Sequence, residues 1–190
     1  MAKETEVVKL TRACPVVLIP YGTAMTLPAG TTVYITQQLG GDFTVTTNMG
    51  YMARVDGKDA DALGKPVSAP AAEQAPIVPG ESLSKDEIEK RVWAQMKNCF
   101  DPEIPVNIVD LGLIYLCEVT PAAEGEGYEV LIRLTLTAPG CGMGPVLGSD
   151  VERRAKAIPG VAKVKVDVVF DPPWSQSMMS EAAKLQLGLL

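Results

Sequence analysis

The residues with the most chemical promise run Thr135-Leu136-Thr137-Ala138-Pro139-Gly140-Cys141-Gly142-Met143-Gly144. An alternating apolar run ends there, a glycine-rich loop follows, and a helical pattern begins. Cys141 falls just ahead of that helix. Unpaired backbone N–H groups and the positive end of the helix dipole favour an anion at such a place. They favour the thiolate over the thiol, and the thiolate is the form that binds metal or attacks an electrophile. Glycines on both sides leave the sulfur open, so Thr137, Gly140 and Gly142 are the candidate lining. The competing reading is a buried cysteine used as a small hydrophobe. Glycine neighbours argue against it. A phosphate cradle fits poorly: Pro145 stands where a third glycine is needed, and no Lys-Ser/Thr pair follows.

A second constellation is Asp101-Pro102-Glu103-Ile104-Pro105-Val106-Asn107-Ile108-Val109-Asp110-Leu111-Gly112-Leu113-Ile114. Prolines stiffen it and carboxylates punctuate it. Asp101 and Asn107 read as turn residues bonding their own backbone. Glu103 and Asp110 carry two readings, turn chemistry and site lining. A third constellation, Asp171-Pro172-Pro173-Trp174-Ser175, places Trp174 as an anchor between a strand and a helix, with Ser175 or Ser177 as cap. Asp56-Gly57-Lys58-Asp59-Ala60-Asp61 has the outline of a calcium loop. Its glycine is misplaced and no glutamate closes it, so an exposed turn is expected.

What is missing narrows the chemistry further. The chain has no histidine. A Ser-His-Asp triad, a Cys-His pair, a histidine zinc site and a Rieske centre are all excluded. A thiol-redox or acyl-transfer enzyme built on Cys141 would lack a histidine base and a resolving cysteine nearby in sequence. The other cysteines, Cys14, Cys99 and Cys117, form no CxxC pair and fit core or half-core positions. The net charge of −6 denies the basic footprint of a nucleic-acid binder and disfavours an anionic membrane surface. No signal-like apolar stretch opens the chain and no run of membrane length occurs. A cytoplasmic protein with reduced thiols is expected.

The elements that must hold these loops fall into three zones along 190 residues. Residues 1–66 alternate short Thr- and Val-rich runs with glycine and proline turns, which predicts a small β-rich, barrel-like or sandwich module. Residues 67–82 are rich in proline and alanine without a periodic apolar face, and read as a linker. Residues 83–190 predict α-β-β-α-β-α. The first helix starts at Ser84, with Glu87 in the capping-box position. Strands follow near 113–119 and 128–137, joined by Glu124-Gly125-Glu126-Gly127 as an antiparallel hairpin. A helix near 143–158, a strand near 161–170 and a last helix near 178–186 complete the zone. The fold class is α+β, with helices on one face of a mainly three-stranded sheet.

Four separated blocks, DPEIPVNIVDLGLIY, LTLTAPGCGM, IPGVAKVKVDVVFDPPW and MMSEAAKLQLG, give residues 83–190 a family resemblance. They resemble the PaaD-like, metal–sulfur cluster biosynthetic domain of iron–sulfur assembly. Residues 1–66 are similar to the N-terminal extension of SufT-type proteins. The resemblance implies a non-enzymatic auxiliary factor in iron–sulfur cluster assembly. It puts the family's reactive cysteine on Cys141 and its acidic loop on Glu103 and Asp110. Cys141 would ligate iron or an iron–sulfur cluster transiently. One cysteine cannot fill a cluster's coordination, so a homodimer or a client must supply the rest. Assembly proteins and apo-clients are the implied partners. The alternative is an adaptor that binds those partners and no metal. Two departures stand out. The family often has Pro after this cysteine, where this chain has Gly142, which implies a freer loop. PaaD proteins proper carry a cysteine-rich C-terminal tail, whereas no cysteine follows Cys141 here.

Overall fold

The structure is a computed structural model that describes residues 6–67, 83–101, 104–123 and 127–189. Most of the expected linker, Glu103 and the hairpin residues 124–126 lie outside the described residues. The chain divides into two compact units. Of the described residues, the first holds 6–67, 104–105 and 141–143, and the second holds the remainder. Among the described residues no helix is long and apolar enough to cross a membrane.

The first unit is built on β1 (Glu6–Lys9), β2 (Cys14–Ile19), β3 (Thr23–Leu27), β4 (Thr32–Leu39), β5 (Asp42–Thr47) and β6 (Met52–Val55). They form one sheet in the order β1-β4-β5-β6-β2-β3, antiparallel throughout. The order runs between two end strands, and no pairing among the described residues joins β1 to β3. Cys14, Val16, Val33, Phe43, Val45, Ala53 and Val55 share its core. The strands β1 and β3 carry no clear apolar alternation, and their pairing partners β4 and β2 define them.

The expected exposed turn at Asp56–Asp61 is instead the start of a 3-10 helix, Gly57–Leu63. The reason is local and tertiary at once. The Asp56 side chain accepts from the Lys58 N–H, and Ala60, Ala62 and Leu63 are buried. Arg12 then bonds both Asp59 and Asp61, which fastens the helix to the sheet.

The second unit runs α1 (Lys85–Met96), β7 (Ile114–Pro121), β8 (Tyr128–Leu134), α2 (Gly144–Lys156), β9 (Val161–Val168) and α3 (Glu181–Gln186). The class is α+β, as expected. Ser84 caps α1 by accepting from the Glu87 N–H at 3.3 Å, while the Glu87 carboxylate takes Arg91 one turn on. β7 and β8 pair antiparallel, and β8 and β9 pair parallel with α2 as the crossover. Parallel strands need such a crossover because no tight turn can reverse the chain twice.

Burial explains which predicted boundaries moved. Val130, Ile132 and Leu134 are buried at alternate positions on β8, as their spacing requires. On β7 a register shift between Ile114 and Leu116 breaks the expected alternation of Leu113, Tyr115, Cys117 and Val119. Leu113 is buried ahead of the strand, while the Tyr115 hydroxyl reaches out to the Pro172 carbonyl at 2.8 Å. β9 stops at Val168, and Phe170 beyond it is exposed. The last helix begins at Glu181 rather than Met178. Its cap is Ser180, which accepts from the Ala183 N–H, and neither Ser175 nor Ser177 takes that part.

Candidate functional site

The framework around these sequence blocks is a turn at residues 107–113. Asn107 builds it. Its side-chain oxygen accepts from the N–H groups of Val109 and Asp110, and its amide donates to the Asp110 carboxylate at 2.6 Å. Ile108, Leu111 and Leu113 are fully buried and pin the turn to the core. Asn107 is thus a turn residue, as expected. The carboxylate of Asp110 is committed to Asn107 as well.

Three main-chain carbonyls of this turn receive donors from elsewhere. Asp110 accepts from the Ser180 N–H at 2.9 Å, Leu113 accepts from the Thr135 N–H at 2.8 Å, and Leu111 accepts from the Trp174 indole at 2.8 Å. Each donor belongs to a different sequence block. Gly112 completes the arrangement. It has φ +72, and a Cβ there would stand 2.2 Å from the Met178 carbonyl oxygen. Only glycine permits that backbone approach. Sequence reasoning reads Trp174 as an anchor and Leu111-Gly112 as a turn entering a strand, and it misses Ser180 and the carbonyl of Leu113 as parts of the framework. The available signal was a serine three residues ahead of Ala183.

Thr135 carries the chain from β8 toward Cys141 and is almost fully buried. The loop turns at Gly140, which is exposed with φ +82. Cys141 and Gly142 are half-buried, Thr137 is half-buried, and Met143 is buried. α2 starts at Gly144, three positions past Cys141. Thr137, Gly140 and Gly142 are therefore neighbours of Cys141 along one loop. No hydrogen bond or ion pair among the described residues joins Asp110 to Cys141. Glu103, the other acidic candidate, lies outside the described residues.

The remaining cysteines have other environments. Cys14 and Cys99 are fully buried, and Cys117 is half-buried. Burial pushes the Cys14 thiol up to about 11, with Asp59 adding to the effect. Burial pushes Cys117 up to about 12, with Glu89 adding. Both stay protonated at neutral pH, which makes them poor ligands. No group of three or more Cys, Asp or Glu residues among the described residues is placed to hold a metal ion.

The described residues comprise an α+β domain with a hydrogen-bonded turn at 107–113 and a cysteine on the loop ahead of α2, and no group of three metal-ligating residues among them. Residues 89–168 match the family described as iron–sulfur cluster assembly protein. An Fe-S protein maturation auxiliary factor of Porphyromonas gingivalis is 41% identical over 102 residues, covering 54% of this chain and 92% of that protein. The chain belongs to this iron–sulfur cluster assembly family. The Fe-S protein maturation auxiliary factor SufT of Staphylococcus aureus is 39% identical over 89 residues, 47% of this chain and 96% of that protein. A crystal structure of a DUF59 domain of unknown function from Bacillus anthracis shares 36% identity, with 56% of this chain and 96% of that chain covered at a TM-score of 0.48.

Proposed function

We propose that this chain is a non-catalytic auxiliary factor of iron–sulfur protein maturation, acting in the cytoplasm. Cys141 binds iron or a cluster transiently, and a second chain or an apo-client supplies the other ligands. Residues 1–66 form the N-terminal module, 67–82 the linker and 83–190 the assembly domain. Thr137, Gly140 and Gly142 share the loop of the thiol, and the family resemblance adds Glu103 and Asp110 as its candidate acidic lining.

One observation carries this reading. Cys141 sits between glycines on a loop ahead of α2, while Cys14 and Cys117 are held as thiols by burial. A cluster needs several thiolates, and the described residues offer no group of three ligands. A shared, short-lived site fits that donor set, and a resident cluster does not. Family membership supplies the direction toward iron–sulfur cargo.

The test is anaerobic loading with iron and sulfide, followed by transfer to an apo-client. Wild type should retain iron and speed client maturation, and Cys141→Ser should do neither. Equal performance by the variant would overturn the role given to Cys141. A second reading, an adaptor that touches no metal, is favoured by the absence of a ligand cluster among the described residues. It predicts that Cys141→Ser still captures assembly proteins and apo-clients, and that neither form retains iron.

A further inference from the structure

Residues 141–143 fall in the first compact unit, together with 6–67. Within that unit the two pieces of chain meet at a pair of glycines. Gly22 lies in the turn between β2 and β3, and Gly142 directly follows Cys141. A Cβ on Gly22 would stand 2.6 Å from the carbonyl carbon of Gly142 and closer still to its oxygen. A Cβ on Gly142 would stand 2.5 Å from the carbonyl carbon of Tyr21, closer still to its oxygen, and 2.9 Å from the oxygen of Pro20. The nearest atoms in both directions are main chain. Each glycine keeps open the space that the other's backbone fills.

Backbone conformation does not account for Gly142. Gly22 has φ +69, a left-handed backbone that favours glycine in any setting. Gly142 is not in that region, so an ordinary side chain would suit its backbone, and only the turn opposite forbids one. Gly140, on the other side of Cys141, is the reverse case. It has φ +82, and a Cβ added there would meet nothing within 4 Å. The loop is free at one flank of Cys141 and held at the other, and Cys141 between them is half-buried. The turn that holds it is firm at its own base. Gly22 donates its N–H to the Leu18 carbonyl at 2.8 Å, and β2 pairs with both β3 and β6.

We propose that the β2–β3 turn is the positioning element of the cysteine loop. Seated against Gly142, it holds residues 141–143 to one path and so fixes where the Cys141 sulfur is offered. This gives the module of residues 6–67 a task, the shaping of the loop that bears the thiol. A preset loop loses less freedom when its cysteine takes a ligand. That consequence for iron rests on the role proposed for Cys141, whereas the positioning itself does not.

The experiment uses the full chain, free of iron, as wild type, Gly22→Ala, Gly142→Ala and the double variant. Hydrogen exchange is read along the chain, and the rate of iodoacetamide labelling is read at Cys141. In Gly22→Ala, exchange at residues 140–143 should rise about tenfold or more, and Cys141 should label faster. In Gly142→Ala the effect should also run the other way, with faster exchange at Tyr21 and Gly22. The double variant should be no worse than the harsher single one, because the same contact is lost only once.

Gly50→Ala is the control. Gly50 lies in the same module with φ +82, and its Cβ would meet nothing within 4 Å. It carries the same backbone cost and should leave the cysteine loop as in wild type. A Gly22→Ala loop that exchanges and labels like that of Gly50→Ala would overturn the proposal. So would effects of the two glycines that simply add in the double variant. Should the Gly22→Ala module fail to fold, seen as fast exchange throughout β4 and β5, Gly142→Ala decides alone. Unchanged exchange at Tyr21 and Gly22 in that variant overturns the proposal. Iron retained by Cys141→Ser would remove the role of that thiol and leave the positioning in place, since none of these readings involves iron.

Discussion

Trp174 donates its indole N–H to the main-chain oxygen of Leu111 at 2.8 Å, across 63 residues of sequence. Leu111 is fully buried, so its carbonyl has little access to water. The indole N–H is the one donor on the Trp174 side chain. This bond, with the Ser180 N–H on Asp110, holds the segment after β9 against the 107–113 turn. Thr135, directly after β8, is bonded to the same turn through the Leu113 carbonyl.

Trp174→Phe keeps an aromatic ring and deletes the donor. The Leu111 carbonyl is then left unpaired, at a cost of about 1–3 kcal/mol. Denaturant unfolding should show a lower midpoint with an unchanged slope. Hydrogen exchange should rise in residues 175–180 before it rises in β8. A midpoint indistinguishable from wild type would remove Trp174 from the framework.

Gly112→Ala should be the harsher change. Its Cβ would collide with the Met178 carbonyl oxygen, and its φ lies in the left-handed region. The left-handed backbone alone costs a β-carbon residue about 1 kcal/mol, and the collision adds to it. The expected loss is ~2 kcal/mol or more. Gly50→Ala is the control. Gly50 has φ +82, and a Cβ added there would meet nothing within 4 Å, so it should show the backbone cost alone.

How much of this was legible in sequence depends on whether a feature is local. The Ser84 cap, the alternation of Val130, Ile132 and Leu134, and the turn role of Asn107 all rest on near neighbours, and sequence reasoning reached them. The register shift on β7 was not legible, because it answers to β8. The 3-10 helix at Gly57–Leu63 was hidden for the same reason, since Arg12 secures it from across the unit. For the candidate site, Cys141 was named by its glycine neighbours and its place before a helix. The carbonyls of Asp110, Leu111 and Leu113 were out of reach, because a main-chain acceptor leaves no mark on residue type.

Asp150 tests a different part of the framework. It is buried on α2 and accepts from Arg154 at 3.1 Å, with Arg153 on its other oxygen. Asp150→Ala withdraws a carboxylate from a buried guanidinium, a change of the kind that costs on the order of 3 kcal/mol. Asp150→Asn keeps the shape and loses the charge, and should cost less. If the two variants melt together, hydrogen-bond geometry matters more here than charge.

The thiols give a pH prediction whose sign can be worked out. In the folded chain Cys14 and Cys117 hold their protons up to about 11 and about 12, against an ordinary thiol value of 9.0. The unfolded chain releases those protons earlier, so it binds fewer of them above pH 9. Stability is then fully present below that point and falls as pH rises from about 9 toward 11 and 12. Urea unfolding at pH 8, 9 and 10 should show this decline. Cys117→Ala should be less stable at pH 8, because a half-buried sulfur is lost, yet lose less on going to pH 10. An equal decline in the variant would show that Cys117 does not set the slope. The same environments predict the labelling pattern. Iodoacetamide at pH 8 should mark Cys141 in the folded chain and leave Cys14, Cys99 and Cys117 unmarked until denaturant is added. Peptide mass spectrometry reads each site separately, and labelling of half-buried Cys117 as fast as Cys141 would overturn the pattern.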